Sequence, residues 1–204
     1  ANYGGGSAKD IAERINNVRS MNEEDPGEGM EGTSLEGVYA EASTSFRASD
    51  MDAADYSGTT VAGSDGAKNV GVGVIGNSDL VINGVGVGPA AFKENDADGS
   101  LTTAINAKSD LTGVKASVDE GGELVLTADD GRDIVMSTTS AEVTNLVFGG
   151  GAKSTSFDAS LNDLRVSGSV SLTAQNTISL GGANAADAGF GALTEDNVQA
   201  KGSI

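Results

Sequence analysis

From residue 80 to residue 136 the apolar residues arrive in short runs, and a glycine, an asparagine or an acidic residue closes almost every one. Such punctuation leaves no room for a long helix there and favours short strands joined by tight turns. The runs are Leu80-Val81-Ile82-Asn83-Gly84-Val85, Leu101-Thr102-Thr103-Ala104-Ile105-Asn106-Ala107, Thr112-Gly113-Val114-Lys115-Ala116-Ser117-Val118, Glu123-Leu124-Val125-Leu126-Thr127 and Asp133-Ile134-Val135-Met136. The first is rich in β-branched residues, is broken by Gly84, and predicts a strand. In the second, Leu101, Ala104 and Ile105 share one helical face, and Ser100 is placed to cap the free amides of the first turn. The last three predict a meander of strands. Val114, Ala116 and Val118 point one way and Lys115 and Ser117 the other. Hairpin turns are expected at Gly121-Gly122 and Asp130-Gly131.

Outside this stretch one helix is predicted near the N-terminus. Ser7 is its expected cap, and Asp10 is placed to favour the positive helix end. Ile11, Ile15 and Val18 recur at helical spacing against a polar face of Lys9, Asp10, Glu13 and Arg14, so the helix is expected to run to about Val18. Residues 20–34 are acidic and glycine-rich, the composition of a mobile surface insertion. Residues 35–42 alternate as a strand. A glycine- and valine-rich segment over 61–76 is expected to form a hairpin at Asp65-Gly66. A short apolar run, Asn145-Leu146-Val147-Phe148, precedes Gly149-Gly150-Gly151. Residues 164–173 and 177–180 alternate as antiparallel strands.

Composition excludes several kinds of function. The 204 residues include 30 glycines and 2 prolines, with five Phe, three Tyr and no Trp, so the core must come mainly from Val, Ile, Leu and Ala. Thirty acidic residues against twelve basic ones give a net charge of −18, which repels nucleic acid and anionic membranes. The absence of His and Cys excludes the usual Ser-His-Asp and Cys-His nucleophile systems, thiolate and histidine metal sites, and disulfides. No apolar run approaches the roughly 20 residues needed to span a bilayer as a helix, and no signal peptide is expected ahead of Ala1.

Three patterns suggest binding chemistry and fail on their context. Gly71-Val72-Gly73-Val74-Ile75-Gly76 fits the dinucleotide fingerprint, yet a β-type run follows it where the mechanism needs a helix N-terminus. Glu94-Asn95-Asp96-Ala97-Asp98-Gly99 resembles the start of a calcium loop, but the position that should supply a bidentate acid is Ile105. It reads instead as a polar turn leading to the Ser100 cap. The acidic groups Glu23, Glu24, Asp25 and Glu28, and Asp129, Asp130 and Asp133, read as solvated loop and turn residues. No catalytic, cofactor-binding or metal-binding residue is assigned, and the chain is expected not to be an enzyme.

An internal repeat underlies the chain. Ala8-Lys9-Asp10-Ile11-Ala12-Glu13-Arg14-Ile15-Asn16 parallels Leu101-Thr102-Thr103-Ala104-Ile105-Asn106, and Glu36-Gly37-Val38-Tyr39-Ala40-Glu41-Ala42 parallels Thr112-Gly113-Val114-Lys115-Ala116-Ser117-Val118. The order Val-Ile-Asn-Gly-Val, Ala-Ile-Asn-Ala, Thr-Gly-Val-Lys-Ala-Ser-Val, Leu-Val-Leu-Thr resembles the IN-type module of bacterial flagellins and flagellar hook-associated proteins. That resemblance implies an extracellular structural part of the flagellum, here the central surface-exposed region of a flagellin that supports motility. It further implies contacts with other flagellin subunits through terminal helices that this chain lacks, and O-linked glycans on serine and threonine runs such as Ser43-Thr44-Ser45, Ser137-Thr138-Thr139-Ser140 and Ser154-Thr155-Ser156. A flagellar cap or hook–filament junction protein is the alternative within the flagellum. A carbohydrate- or host-binding adhesin module is the alternative outside it, against which stands the scatter of the aromatic residues. The fold expected is α+β and mostly β, two small modules each with a short helix packed on an antiparallel sheet. The division expected is 1–60 as a first IN-like module completed by 151–204, and 61–150 as a second, inserted outer module.

Overall fold

A computed structural model of the protein describes residues 7–24, 37–50, 69–149 and 164–174. The expectations for the acidic segment beyond Glu24, the turn at Asp65-Gly66 and the strand at 177–180 lie outside these residues.

The described chain is α+β with strands dominant. Ser7 and Asp10 cap α1 (Ala8–Glu24) reciprocally, the Asp10 amide donating to Ser7 Oγ at 3.3 Å and the Ser7 amide to the Asp10 carboxylate at 3.0 Å. The helix passes the expected end at Val18 because Met21, Glu23 and Glu24 are good helix formers. The first part of the supposed insertion is therefore helical. Strand β1 (Val38–Arg47) follows and ends in a 3-10 turn, Ala48–Asp50.

Three corrections concern the central stretch. First, residues 80–85 are a hairpin, β3 (Leu80–Ile82) and β4 (Val85–Val87), since β2 is Gly73–Ile75. Asn83 and Gly84 both adopt positive φ, 48° and 79°, as a two-residue turn matched to strand twist requires. Second, Ser100 does not cap the next helix. After β5 (Ala90–Phe92) and a 3-10 turn at Glu94–Asp96, Ser100 is the first residue of α2 (Ser100–Asn106), and the Asp96 carboxylate accepts from the amides of Leu101 at 2.8 Å and Thr102 at 2.9 Å. A carboxylate bonds these donors more strongly than a hydroxyl and suits the positive helix end. Third, the strands after the short helix α3 (Ser109–Thr112) are not a meander. The expected turn around Gly121-Gly122 joins β6 (Lys115–Val118) to β7 (Leu124–Ala128), but β8 (Ile134–Thr138) leaves for another sheet. Residues 129–133 are not a tight hairpin. Gly131 has φ 73° and lies against Ala42, where a Cβ would meet the β1 backbone, so the chain crosses β1 instead of turning back.

The run at 145–148 is the end of a helix, α4 (Ala141–Phe148), capped by Ser140 Oγ on the Val143 amide. The C-terminal alternating stretch becomes β9 (Leu164–Val166) and β10 (Ser169–Ala174), which pair with different sheets. One sheet runs β10-β1-β7-β6, a second β4-β3-β8-β9, and β2 pairs with β5, all antiparallel. Between them lies one core of Val, Ile and Leu around an edge-to-face pair, Phe46 and Phe148, with ring centroids 5.8 Å apart. Leu101 and Ile105 of α2 are fully buried and Ala104 packs beside them, as their spacing predicts.

Asp96 is 6% exposed, so its truncation strips a buried charge-assisted cap from two helix amides and the Thr102 hydroxyl. Asp96→Ala is expected to lower stability in urea denaturation by about 2 kcal/mol. Ser100→Ala is expected to change it by less than about 0.5 kcal/mol.

Candidate functional site

The residues that draw the repeat together are two asparagines. Asn106 ends α2 and turns its amide onto β6, donating to the Ala116 carbonyl at 2.9 Å and accepting from the Ala116 amide at 2.8 Å. Asn16, within α1, does the same to Ala40 of β1, at 2.9 Å to its carbonyl and 3.0 Å from its amide. The glycines three residues ahead of Ala40 and Ala116, Gly37 and Gly113, both take positive φ, 73° and 72°. Each asparagine thus meets the same backbone position after the same left-handed turn.

The correspondence extends to the strands that pair with β1 and β6. Ala40 stands opposite Leu172, and Ala116 opposite Leu126. Those partners lie in Val170-Ser171-Leu172-Thr173-Ala174 and Leu124-Val125-Leu126-Thr127-Ala128, whose shared Leu-Thr-Ala was the available signal. The two helix–strand units meet in one sheet, because β1 pairs with β10 over residues 38–43 and with β7 over residues 44–47.

Where β7 hands over to β8, a polar knot ties the sheets together. Asp130 accepts from Arg132 Nη2 at 2.7 Å and from Lys9 Nζ at 2.9 Å. Arg132 Nη1 donates to the Thr112 carbonyl at 3.3 Å, and Asn83 Nδ2 donates to that carbonyl at 2.9 Å. Asn83 Oδ1 in turn accepts from the Val135 amide at 2.8 Å. The Arg132 guanidinium, with Lys9 assisting, holds the Asp130 carboxyl well below the usual carboxylate range, against some opposing desolvation. Asp129 pairs with Lys115 at 2.6 Å and raises its pKa by that hydrogen bond, while Asp133 pairs with Arg165. Each of the three turn aspartates thus carries an ion pair, and that of Asp129 with Lys115 is largely solvated.

The binding patterns resolve into structure. The Gly71–Gly76 segment enters β2 and then a turn, and its Gly76 amide donates to Asp79 at 2.7 Å, so that amide is not offered to a phosphate. The calcium-like loop spends Asp96 on the α2 cap, and Asn95 and Asp96 take positive φ there. Among the described residues no group of three or more acidic side chains is arranged to hold a metal ion. An open groove of about 600 Å³ between α1 and β1 is lined by Lys9, Glu13, Asn16, Glu41 and Asp130, without an aromatic wall. In the serine and threonine runs, Ser43, Ser45 and Thr139 are exposed. Thr44 and Thr138 are buried, Thr44 Oγ1 donating to the Arg132 carbonyl at 2.7 Å and Thr138 meeting Thr144 at 2.5 Å. Runs 25–36 and 154–156 lie outside the described residues.

Comparison with known proteins falls on the part that holds Asn106. Residues 79–130 match the family described as the flagellin hook IN motif. This stretch is therefore similar to a flagellin IN module. The chain is 49% identical over 74 residues to flagellin B of Helicobacter pylori, covering 36% of this chain. It is 47% identical over 64 residues to flagellin A of the same species, 31% of this chain, and 46% over 65 residues to flagellin A of Helicobacter mustelae, also 31%. The matched stretch spans 14% of the flagellin B, 12% of the first flagellin A and 13% of the second. Within the matched stretch, Ile105 fills the core and Asn106 binds the strand, so the residue pair divides packing from backbone recognition.

The folded pKa of Asp130 is depressed, so its pairing contributes stability above about pH 4, the ordinary carboxylate range, and loses it as pH falls below that. Asp130→Asn is expected to cost under about 1 kcal/mol near neutrality, since the pair is one-third exposed. The difference between parent and variant should shrink in thermal melts below about pH 4.

Proposed function

We propose that this chain is the surface-exposed central part of a bacterial flagellin, a structural and non-catalytic component of the extracellular flagellar filament that supports motility. The observation that carries the reading is the match of residues 79–130 to the flagellin hook IN motif, together with 49% identity to a flagellin over 74 residues. Other features support it. The net charge of −18 makes neighbouring copies repel where they face solvent, which suits a surface repeated many times along one filament. Among the described residues no helix is long and apolar enough to cross a membrane. Phe46, Phe92 and Phe148 are buried, which takes them out of any aromatic sugar platform and weighs against an adhesin module.

On this reading, assembly with other subunits runs through terminal helices of the whole flagellin, and exposed residues such as Ser43, Ser45 and Thr139 are the candidates for O-linked glycans. We further assign 1–60, completed by 151–204, to a first IN-like module and 61–150 to the second. The pairing of β1 with β10 and the matching contacts of Asn16 and Asn106 support that division.

Immunogold electron microscopy with antibodies raised against this chain tests the proposal. Label along whole filaments is expected. Label confined to the distal tip or the hook junction would move the chain to a cap or junction protein, and label on the cell body with bare filaments would overturn the flagellar reading.

A further inference from the structure

A strand at the rim of a sheet leaves every second peptide group without a strand partner, and such a row recruits other strands. In the sheet β10-β1-β7-β6, strand β6 is a rim among the described residues. The ladder shows which of its groups face out. The Asp119 amide donates to the Glu123 carbonyl, and Ser117–Val125 and Lys115–Thr127 follow at two-residue steps, so Lys115, Ser117 and Asp119 face β7. Val114, Ala116 and Val118 then turn their backbone groups outward.

Helix side chains close the first two of these positions. The Thr112 hydroxyl accepts from the Val114 amide at 3.1 Å and lies 3.4 Å from the Val114 carbonyl. The Asn106 amide takes both groups of Ala116, as a neighbouring strand would. Asn16 treats β1 alike. On the side where β7 covers residues 44–47, Ala40 lies past the end of that pairing, and Asn16 supplies the missing donor and acceptor there.

We propose that Asn106 and Asn16 are edge stoppers, which hold the outward peptide groups of β6 and of the first half of β1 closed to a strand from a second copy of this chain. A second copy is the natural occupant of an opened β6 because identical edges pair antiparallel about a two-fold axis, and that contact closes on itself as a dimer. The apolar Ala116 and Val118 on one face of β6 would meet the same residues of the other copy.

Asn106 is exposed, so its truncation leaves no cavity. The test compares the 204-residue chain with Asn106→Ala and with Asn106→Ala combined with Ala116→Pro. The Ala116 amide faces away from β7, so proline there removes an edge donor without breaking the β6–β7 ladder. In sedimentation velocity the parent is expected to be a monomer. Asn106→Ala is expected to keep the parent far-UV circular dichroism and to double in mass as concentration rises, and the double variant to return to monomer. The proposal is overturned if folded Asn106→Ala stays monomeric over the same range, if its association survives the proline, or if Asn106→Ala loses its fold.

Discussion

Backbone hydrogen bonding at strand ends is the constraint on which this structure depends. A fold of short strands has many ends, and each exposes peptide groups that water or another partner must satisfy. Here a side-chain amide does so twice, from a helix that packs across the strand. The same contact fixes the helix against the sheet, since an asparagine that bonds both groups of one residue sets the distance and register of two elements together. Ile105, next to Asn106, is fully buried in the core. A second layer of order comes from Asp96, whose carboxylate starts α2 and so places Asn106 at the other end of the same short helix.

The two helix–strand units are not independent globules. Strand β1 divides its length between β10 and β7, and Phe46 at its far end reaches Phe148 of α4 in the common core. The Asp130–Arg132 pair extends this link from Lys9 on α1 to the Thr112 carbonyl, and Asn83 carries it on to β8. With few aromatics, the core relies on many buried aliphatic side chains, each contributing about 1.5–3 kcal/mol. Polar ties at the seams then decide which arrangement of sheets those contacts stabilise.

Much of this was legible in the residues. Alternation found β1, β6, β7 and β10, periodicity found the buried face of α2, and Ser7 with Asp10 marked the start of α1. The repeat was visible because Ile-Asn and Gly-Val recur at matching places. What escaped was set by contacts distant in sequence. Asn83-Gly84 was read as a break in a strand because Leu80–Ile82 and Val85–Val87 are too short to show a period of their own. The meander failed because strand order depends on Gly131 passing over Ala42. Ser100 looked like a cap since hydroxyl caps are local, whereas Asp96 reaches its amides only after a turn with two positive-φ residues. The role of Asn106 needed the structure outright, for nothing in the sequence says that a helix-end amide will lie along a strand edge.

Amide hydrogen exchange at single-residue resolution measures the central claim directly. If the two asparagines bind their strands as equivalent contacts, the Ala40 and Ala116 amides will exchange with similar protection, and both more slowly than Val118, which faces outward two residues beyond Ala116 on the same rim. Exchange at Ala40 and Ala116 as fast as at Val118 would contradict the account.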